Sequence, residues 1–398
     1  MANTPNIRFK GFTDDWEQHE LCDIYGKIRN AFVGTASPYY VENGHFYLES
    51  NNVKDGHINH NNEVFINDEF YEKQRDNWLH TGDIVMVQSG HVGHSAVIPE
   101  ELNNTAAHAL IIISNPQTEI DPYFLNAEFQ TPLKKKNIDI ITKGNTIKHI
   151  LASDMKEFEV SLPNIREQRD ISAFFRILDK ILIIHQRRLE DLKNFKKVML
   201  QKMFPSDGES IPEIRFFGFS DAWEQRKLSD IAQITMGQSP DGSTYSDTPS
   251  TYILVQGNAD LKDGWVSPRI WTTQKTKTAD AGDLIMSVRA PAGAMGKTAY
   301  DVVLGRGVAG IKGNEFLYQT LVKMDENGYW KKLAAGSTFE SINSDVVNNA
   351  EIMVPQDIEE QNKIGEYFSD LDTLITLHQH KYENLLKMKK YLLQQMFC

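Results

Sequence analysis

Two kinds of hydrophobic pattern alternate along the chain, and each occurs twice. Short apolar runs bounded by Gly, Pro and Asn predict strands at Asp83–Gln88, Ala109–Ile113 and Phe158–Leu162. Asp121-Pro122 predicts an N-cap and first helical residue, opening a helix through Phe129. A different rhythm follows, with apolar residues stepping by four and three. It runs through Leu178, Leu182, His185, Leu189 and Leu192, and again through Leu371, Ile375, His378, Tyr382 and Leu385. That spacing predicts a coiled-coil seam. Asn164 with Glu167, and Asp357 with Glu360, predict a capping box at each helix start. Each helix should run for about 37 residues, roughly 55 Å at the α-helical rise. A helix this long with one apolar stripe must bury it, and the other copy is the available partner. Halves related by a pseudo-two-fold axis would pack the helices antiparallel. His185 and His378 should then approach each other at the crossing, as polar residues that fix register.

The repetition extends to identity. Pro5–Ile24 and Pro212–Ile231 share 13 of 20 residues at an offset of 207. Phe175–Phe204 and Phe368–Phe397 share 13 at an offset of 193. Gly82–Met86 faces Gly282–Met286, and Gly144–Ile147 faces Gly336–Phe339. Between these blocks the copies diverge: Val41–Tyr71 has little in common with Thr251–Ile270. The predicted fold class is therefore α+β: two pseudo-repeated α/β domains joined by two long helices in an antiparallel coiled coil. The boundaries expected are a first domain at 1–160, a first spacer helix at 161–204 and a linker at 205–211. A second domain at 212–354 and a second spacer helix at 355–398 follow. A repeated frame with two different interiors suggests two different things being read.

Composition narrows the class. The chain has 398 residues, 40% hydrophobic and 24% charged, which suits two or three globular domains. No apolar run approaches the roughly 20 residues of a membrane span, and the polar N-terminus has no signal pattern. Two distant cysteines, Cys22 and Cys398, suggest a reducing cytoplasm. The formal charge of −12 argues against a simple DNA-coating protein, but not against local basic surfaces.

Several motifs are decoys. Gly305–Gly310 is a formal GxGxxG, yet Ile311 onward reads as strand or turn, so tight local turns are expected rather than a dinucleotide. Asp121–Phe124 resembles the [DN]-P-P-[FY] loop of amino-methyltransferases but lacks its second proline. His91, His94 and His108 have no accompanying metal-ligand spacing and face Pro291, Ala294 and Val308 at an offset of 200. No phosphate-binding GxxxxGK[ST] loop occurs. No cofactor, metal or catalytic set is expected on this chain.

The duplicated Phe-x-Gly-Phe-x-Asp-x-Trp-Glu block, the Gly-Asp-[IL]-[IV]-Met strand and the Gly-x-Thr hinge carry a resemblance. So do the [LV]-Pro…Glu-Gln helix start and the Leu-Asp…His-Gln helix centre. Together, twice and in order, they resemble the specificity subunit of type I restriction-modification enzymes. The resemblance implies a non-catalytic subunit whose two target-recognition domains each read one half of a split DNA sequence, spaced by the coiled coil. It implies double-stranded DNA as partner, with two modification subunits carrying S-adenosylmethionine and restriction subunits using ATP and Mg. Candidate DNA contacts in the first domain are Gln88, His91 and His94, the hinge residues Lys143, Asn145 and Thr146, and Lys134, Lys135 and Lys136 as phosphate contacts. In the second they are Arg289, Lys297, Arg306, Ser337 and Thr338. Trp16 and Trp223 belong to the repeated frame and should be core or docking residues. Two alternatives compete: a stand-alone tandem nucleic-acid-binding protein, and a coiled-coil scaffold that needs no methylase.

Overall fold

A computed structural model describes residues 4–144, 148–334 and 341–398. The chain divides into two compact units, Met1–His185 with Lys381–Cys398, and Gln186–His380. Each unit therefore takes the start of one long helix and the end of the other.

In unit 1 a four-stranded antiparallel sheet is ordered Tyr25–Asn30, Leu110–Pro116, Ile84–Val87 and Ser95–Val97. Ile84–Val87 is buried along its whole length, which is why it reads as a continuous apolar run. Unit 2 repeats this order with Gln233–Met236, Val308–Lys312, Leu284–Ser287 and Met295–Lys297. A two-stranded ribbon ties each opening block to the strand that leads into the long helix: Glu17–Glu20 with Glu159–Leu162, and Glu224–Lys227 with Glu351–Val354. The Asp121 side chain caps Pro122–Phe129, accepting from the Tyr123 and Phe124 amides.

The long helices span Ile165–Lys202 and Ile358–Gln395. In unit 1 the Phe175 ring lies 5.8 Å from Phe397, and Asp179 pairs with Lys389 at 2.6 Å, so the two helix segments run antiparallel. Unit 2 shows the same geometry: Phe368 lies 5.9 Å from Phe204, and Asp372 pairs with Lys196 at 2.6 Å. Leu178, Leu182, Leu189, Leu192 and Leu371 are buried. Ile375, Tyr382, Leu385, His185 and His378 are half-buried, a looser seam on the second helix.

Each core is closed by the end of the helix that arrives from the other repeat. Trp16 packs against Phe124 and Phe397, and Trp223 against Phe316 and Phe204. Both tryptophans are about 97% buried, which removes them as surface contacts. Backbone bonds repeat the arrangement: the Ile7 amide donates to Gln395 O, and the Ile214 amide to Lys202 O.

Two expectations need correction. The capping boxes are only half formed. The Glu167 amide donates to Asn164 Oδ1 and the Glu359 amide to Asp357 Oδ1. The Glu167 carboxylate, however, takes a bidentate pair from Arg8 (2.6 and 2.8 Å), and Glu360 takes the same from Arg215. A fully buried carboxylate gains more from a guanidinium fork than from one backbone amide. The interiors are also less divergent than they read. Lys54-Asp55-Gly56 and Lys262-Asp263-Gly264 build the same tight hairpin, with positive φ at both Asp and Gly.

Candidate nucleic-acid interface

The loops carrying Gln88, His91 and His94 in one unit and Arg289 and Arg306 in the other lie at the corresponding end of each sheet. In unit 1 the strand Ile84–Val87 ends at Gln88 and returns at Ser95. Gly93 sits at φ 87°, and a Cβ there would meet Ile138 Cγ2 at 2.8 Å, so only glycine makes this turn. The segment after Ile141 docks on the loop: Ser89 bridges to His149, and Gly90 N and Ile150 N bond Lys148 O and Gln88 O. The fold thus joins the Gln88–His94 loop to the hinge side of Lys143. Asn145, Thr146, Ser337 and Thr338 lie outside the described residues.

The side chains in unit 1 are not equivalent. His91 is exposed. His94 is half-buried, and its Nδ1 accepts from the Asp55 amide at 3.1 Å, tying this loop to the Lys-Asp-Gly hairpin. Burial holds its pKa below the usual histidine value, helped by Lys135, His91 and Lys54 and opposed by Asp55. Lys143 is exposed but pairs with Asp154 at 3.0 Å. Lys135 and Lys136 are exposed on the helix Pro132–Ile141. Lys134 is not: it is 4% exposed, its ammonium lies 3.1 Å from Glu128 and it donates to Glu159 O. It shares the buried helix face with Ile138, four residues on, and is unavailable to a phosphate.

In unit 2 Arg289 follows the strand Leu284–Ser287 and bridges to Ser341, while the Ile342 amide donates to Val288 O. Arg306 occupies the turn between Val302–Leu304 and Val308–Lys312. Both arginines are exposed. The GxGxxG therefore joins strand to strand and opens no helix. Lys297 needs correction. It pairs across the sheet with Leu284, at the far end from Arg289. Its ammonium bonds Glu315 at 2.8 Å and lies over the Trp265 and Tyr318 rings. His108 has a corrected counterpart too. It occupies the turn before Leu110 that corresponds to Gly305–Gly307, and its Nε2 donates to Gly34 O. Among the described residues no three His, Cys, Asp or Glu side chains gather as a metal site.

Two modules with matched frames and unlike loop ends form the kind of protein that presents two different surfaces from one repeated scaffold. Comparison with known sequences agrees. The type I restriction modification DNA specificity domain matches residues 13–194 and again 220–387. The chain belongs to this family. It is the DNA-recognition component of a type I restriction-modification system and not a catalytic one. It is similar to the putative type I restriction enzyme MjaX specificity subunit of Methanocaldococcus jannaschii, with 27% identity over 95% of this chain and 91% of that protein. The MjaVIII specificity subunit of the same organism is 21% identical over the same shares. Among solved structures, the type I restriction-modification S subunit from M. genitalium aligns with a TM-score of 0.69 at 13% identity over 99% of both chains. A chain from a structure on assembly and conformational transition of a type I R-M system aligns at 0.54, with 20% identity over 96% of this chain and 97% of that one.

Proposed function

We propose that this subunit reads an asymmetric split DNA sequence, one half-site per unit, and brings two adenine-modification subunits and the restriction subunits to it. The observation that carries this is the contrast within the repeat. The frames match down to single ion pairs, whereas the loops at the sheet ends present an exposed His91 beside a half-buried Gln88 in one unit and the exposed Arg289 and Arg306 in the other. Identical heads would read identical half-sites; these heads differ. Among the candidates, Gln88, His91, His94, Lys135, Lys136, Lys143, Arg289 and Arg306 remain at or beside the loop ends. S-adenosylmethionine, ATP and Mg belong on the partner subunits, in the cytoplasm. No helix among the described residues is long and apolar enough to cross a membrane.

A second duplicated feature supports two copies of one modification subunit. Each unit leaves apolar residues exposed on its helix segments: Ile181, Ile184, Met388 and Tyr391 in unit 1, Leu374, Leu377, Phe195 and Val198 in unit 2. These correspond pairwise at an offset of 193. A helix face that stays apolar in both repeats, yet is not covered by this chain, suits a partner that also comes twice.

The test is co-expression with the cognate modification subunit and genome-wide mapping of N6-methyladenine. A split motif methylated on both strands, and only when both subunits are present, is the expected result. An active methylase that needs no help from this chain would overturn it.

A further inference from the structure

Arg306 is presented in an unusual way. It lies between Gly305 and Gly307 in a turn fixed on several sides. The Gly305 amide donates to Val255 O at 2.7 Å, the Val288 amide to Gly307 O at 2.9 Å, and the Arg306 amide to Ser239 Oγ at 3.1 Å. A Cβ on Gly307 would lie 2.1 Å from Gln256 O, and one on Gly237 would lie 2.1 Å from Gly305 O. The backbone on either side is packed too closely for any other residue. The one long side chain in the turn is the arginine, and it projects into solvent.

Arg289 stands on the adjoining loop, one residue after the Val288 that touches this turn. Neither guanidinium has an acidic partner among the described residues, although the chain is acidic overall. Five of the other arginines, Arg8, Arg75, Arg169, Arg215 and Arg269, pair with carboxylates, and what sets Arg289 and Arg306 apart from the remaining ones is their place on these two packed turns. Two free, solvated guanidiniums on rigid neighbouring turns are preorganised for a planar acceptor pair, and guanine O6 and N7 form one in the major groove.

Unit 1 differs at both places. Ser89 stands where unit 2 has Arg289, and the turn holds His108 and Ala109 instead of Gly-Arg-Gly. His108 is committed: its Nε2 bonds Gly34 O at 2.9 Å and its ring stacks on Tyr47.

We propose that Arg306 and Arg289 each read a guanine in the half-site facing unit 2, and that the half-site facing unit 1 is read without an arginine. This rests on the DNA-reading function proposed above and assigns part of its code.

The experiment compares the methylated motif made by the full subunit with its modification subunits, wild type against R306A, R306K and R289A, on genomic DNA. The R306A complex should keep methylating, with one guanine position of one half-site becoming degenerate. Discrimination there should fall roughly 10- to 100-fold. R306K should relax the same position less, because lysine keeps charge but loses the fork. R289A should relax a second guanine in the same half-site, and the other half-site should not change. A wild-type motif with no guanine in either half-site overturns the inference. So do variants that methylate the unchanged motif to a lower extent everywhere, which would make the arginines phosphate contacts. Both outcomes leave the DNA-reading function standing. Absence of partner-dependent methylation by the wild type would sink that function itself. Matching melting curves establish that the variants fold; if R306A does not, R306K decides.

Discussion

Unit 1 and unit 2 share their supports and differ in what the supports hold up. The Arg8–Glu167 and Arg215–Glu360 pairs superpose in role, as do Asp179–Lys389 and Asp372–Lys196. At the sheet ends the resemblance stops: His94 is anchored to a hairpin where unit 2 has Ala294, and Arg306 is free where unit 1 has a bonded histidine. A duplicated gene product can keep its folding problem solved once and still diverge in recognition, provided the differences stay in loops that carry no core.

This comparison can be broken at several strengths. The largest effect is expected from Phe397→Ala and Phe204→Ala. Each removes a buried ring that packs on the frame tryptophan, and each should cost about 3–5 kcal/mol in urea unfolding. Equal roles predict equal costs, with hydrogen exchange rising first in unit 1 for Phe397 and in unit 2 for Phe204. Glu167→Gln and Glu360→Gln should follow at about 2–3 kcal/mol each, because a guanidinium loses its charged partner. A clear inequality between the two variants would show that the frames are not equivalent.

The third effect is asymmetric. Asp179 meets both Lys389 and His57, whereas Asp372 meets Lys196 and Gln319. Burial alone would raise the Asp179 pKa, but His57 and Lys389 outweigh it and hold it below the usual carboxylate value. A depressed carboxylate stabilises the fold above its unfolded pKa of about 3.9, and that stability is lost as pH falls through the lower folded value. Asp179→Asn should therefore flatten the acid limb of unit 1 unfolding and cost about 1–2 kcal/mol at neutral pH. An unchanged acid limb would remove Asp179 from the account.

The smallest effect concerns His94. Its folded pKa is lowered, first by burial, so the neutral ring is the form the fold favours. The stability this bond gives is fully present above the unfolded pKa of about 6.5 and is lost as pH falls through the lower folded value, where the ring takes a proton on Nδ1 and can no longer accept from the Asp55 amide. The Asp55 amide should exchange faster at pH 5 than at pH 8 once intrinsic rates are removed, and the Asp263 amide in unit 2 should show no such step. A parallel change at both hairpins would detach the effect from His94.

Much of the frame was legible in the sequence because it is written twice in local patterns. The strands, the Asp121 cap and the four-and-three stepping each depend on neighbours within a few residues. What escaped depends on distance. Nothing near Glu167 announces Arg8, which lies far off in the opening block. The Lys-Asp-Gly hairpins were masked by divergent flanks and by an offset of 208, one residue from that of the opening block. Lys134 read as one of three solvated lysines, yet the helical turn places it with Ile138. That spacing was the available signal. Of the candidate interface, the sequence located the loops but could not distinguish the arginines left free from the Lys297 already bound to Glu315.

The central claim is that each unit reads its own half-site independently. The most direct measurement replaces residues 1–160 with the first domain of another specificity subunit and maps the methylated motif made with the same modification subunits. The account predicts that one half-site changes, the other keeps its sequence, and the spacing between them is retained. A motif in which both half-sites change, or neither does, would contradict it.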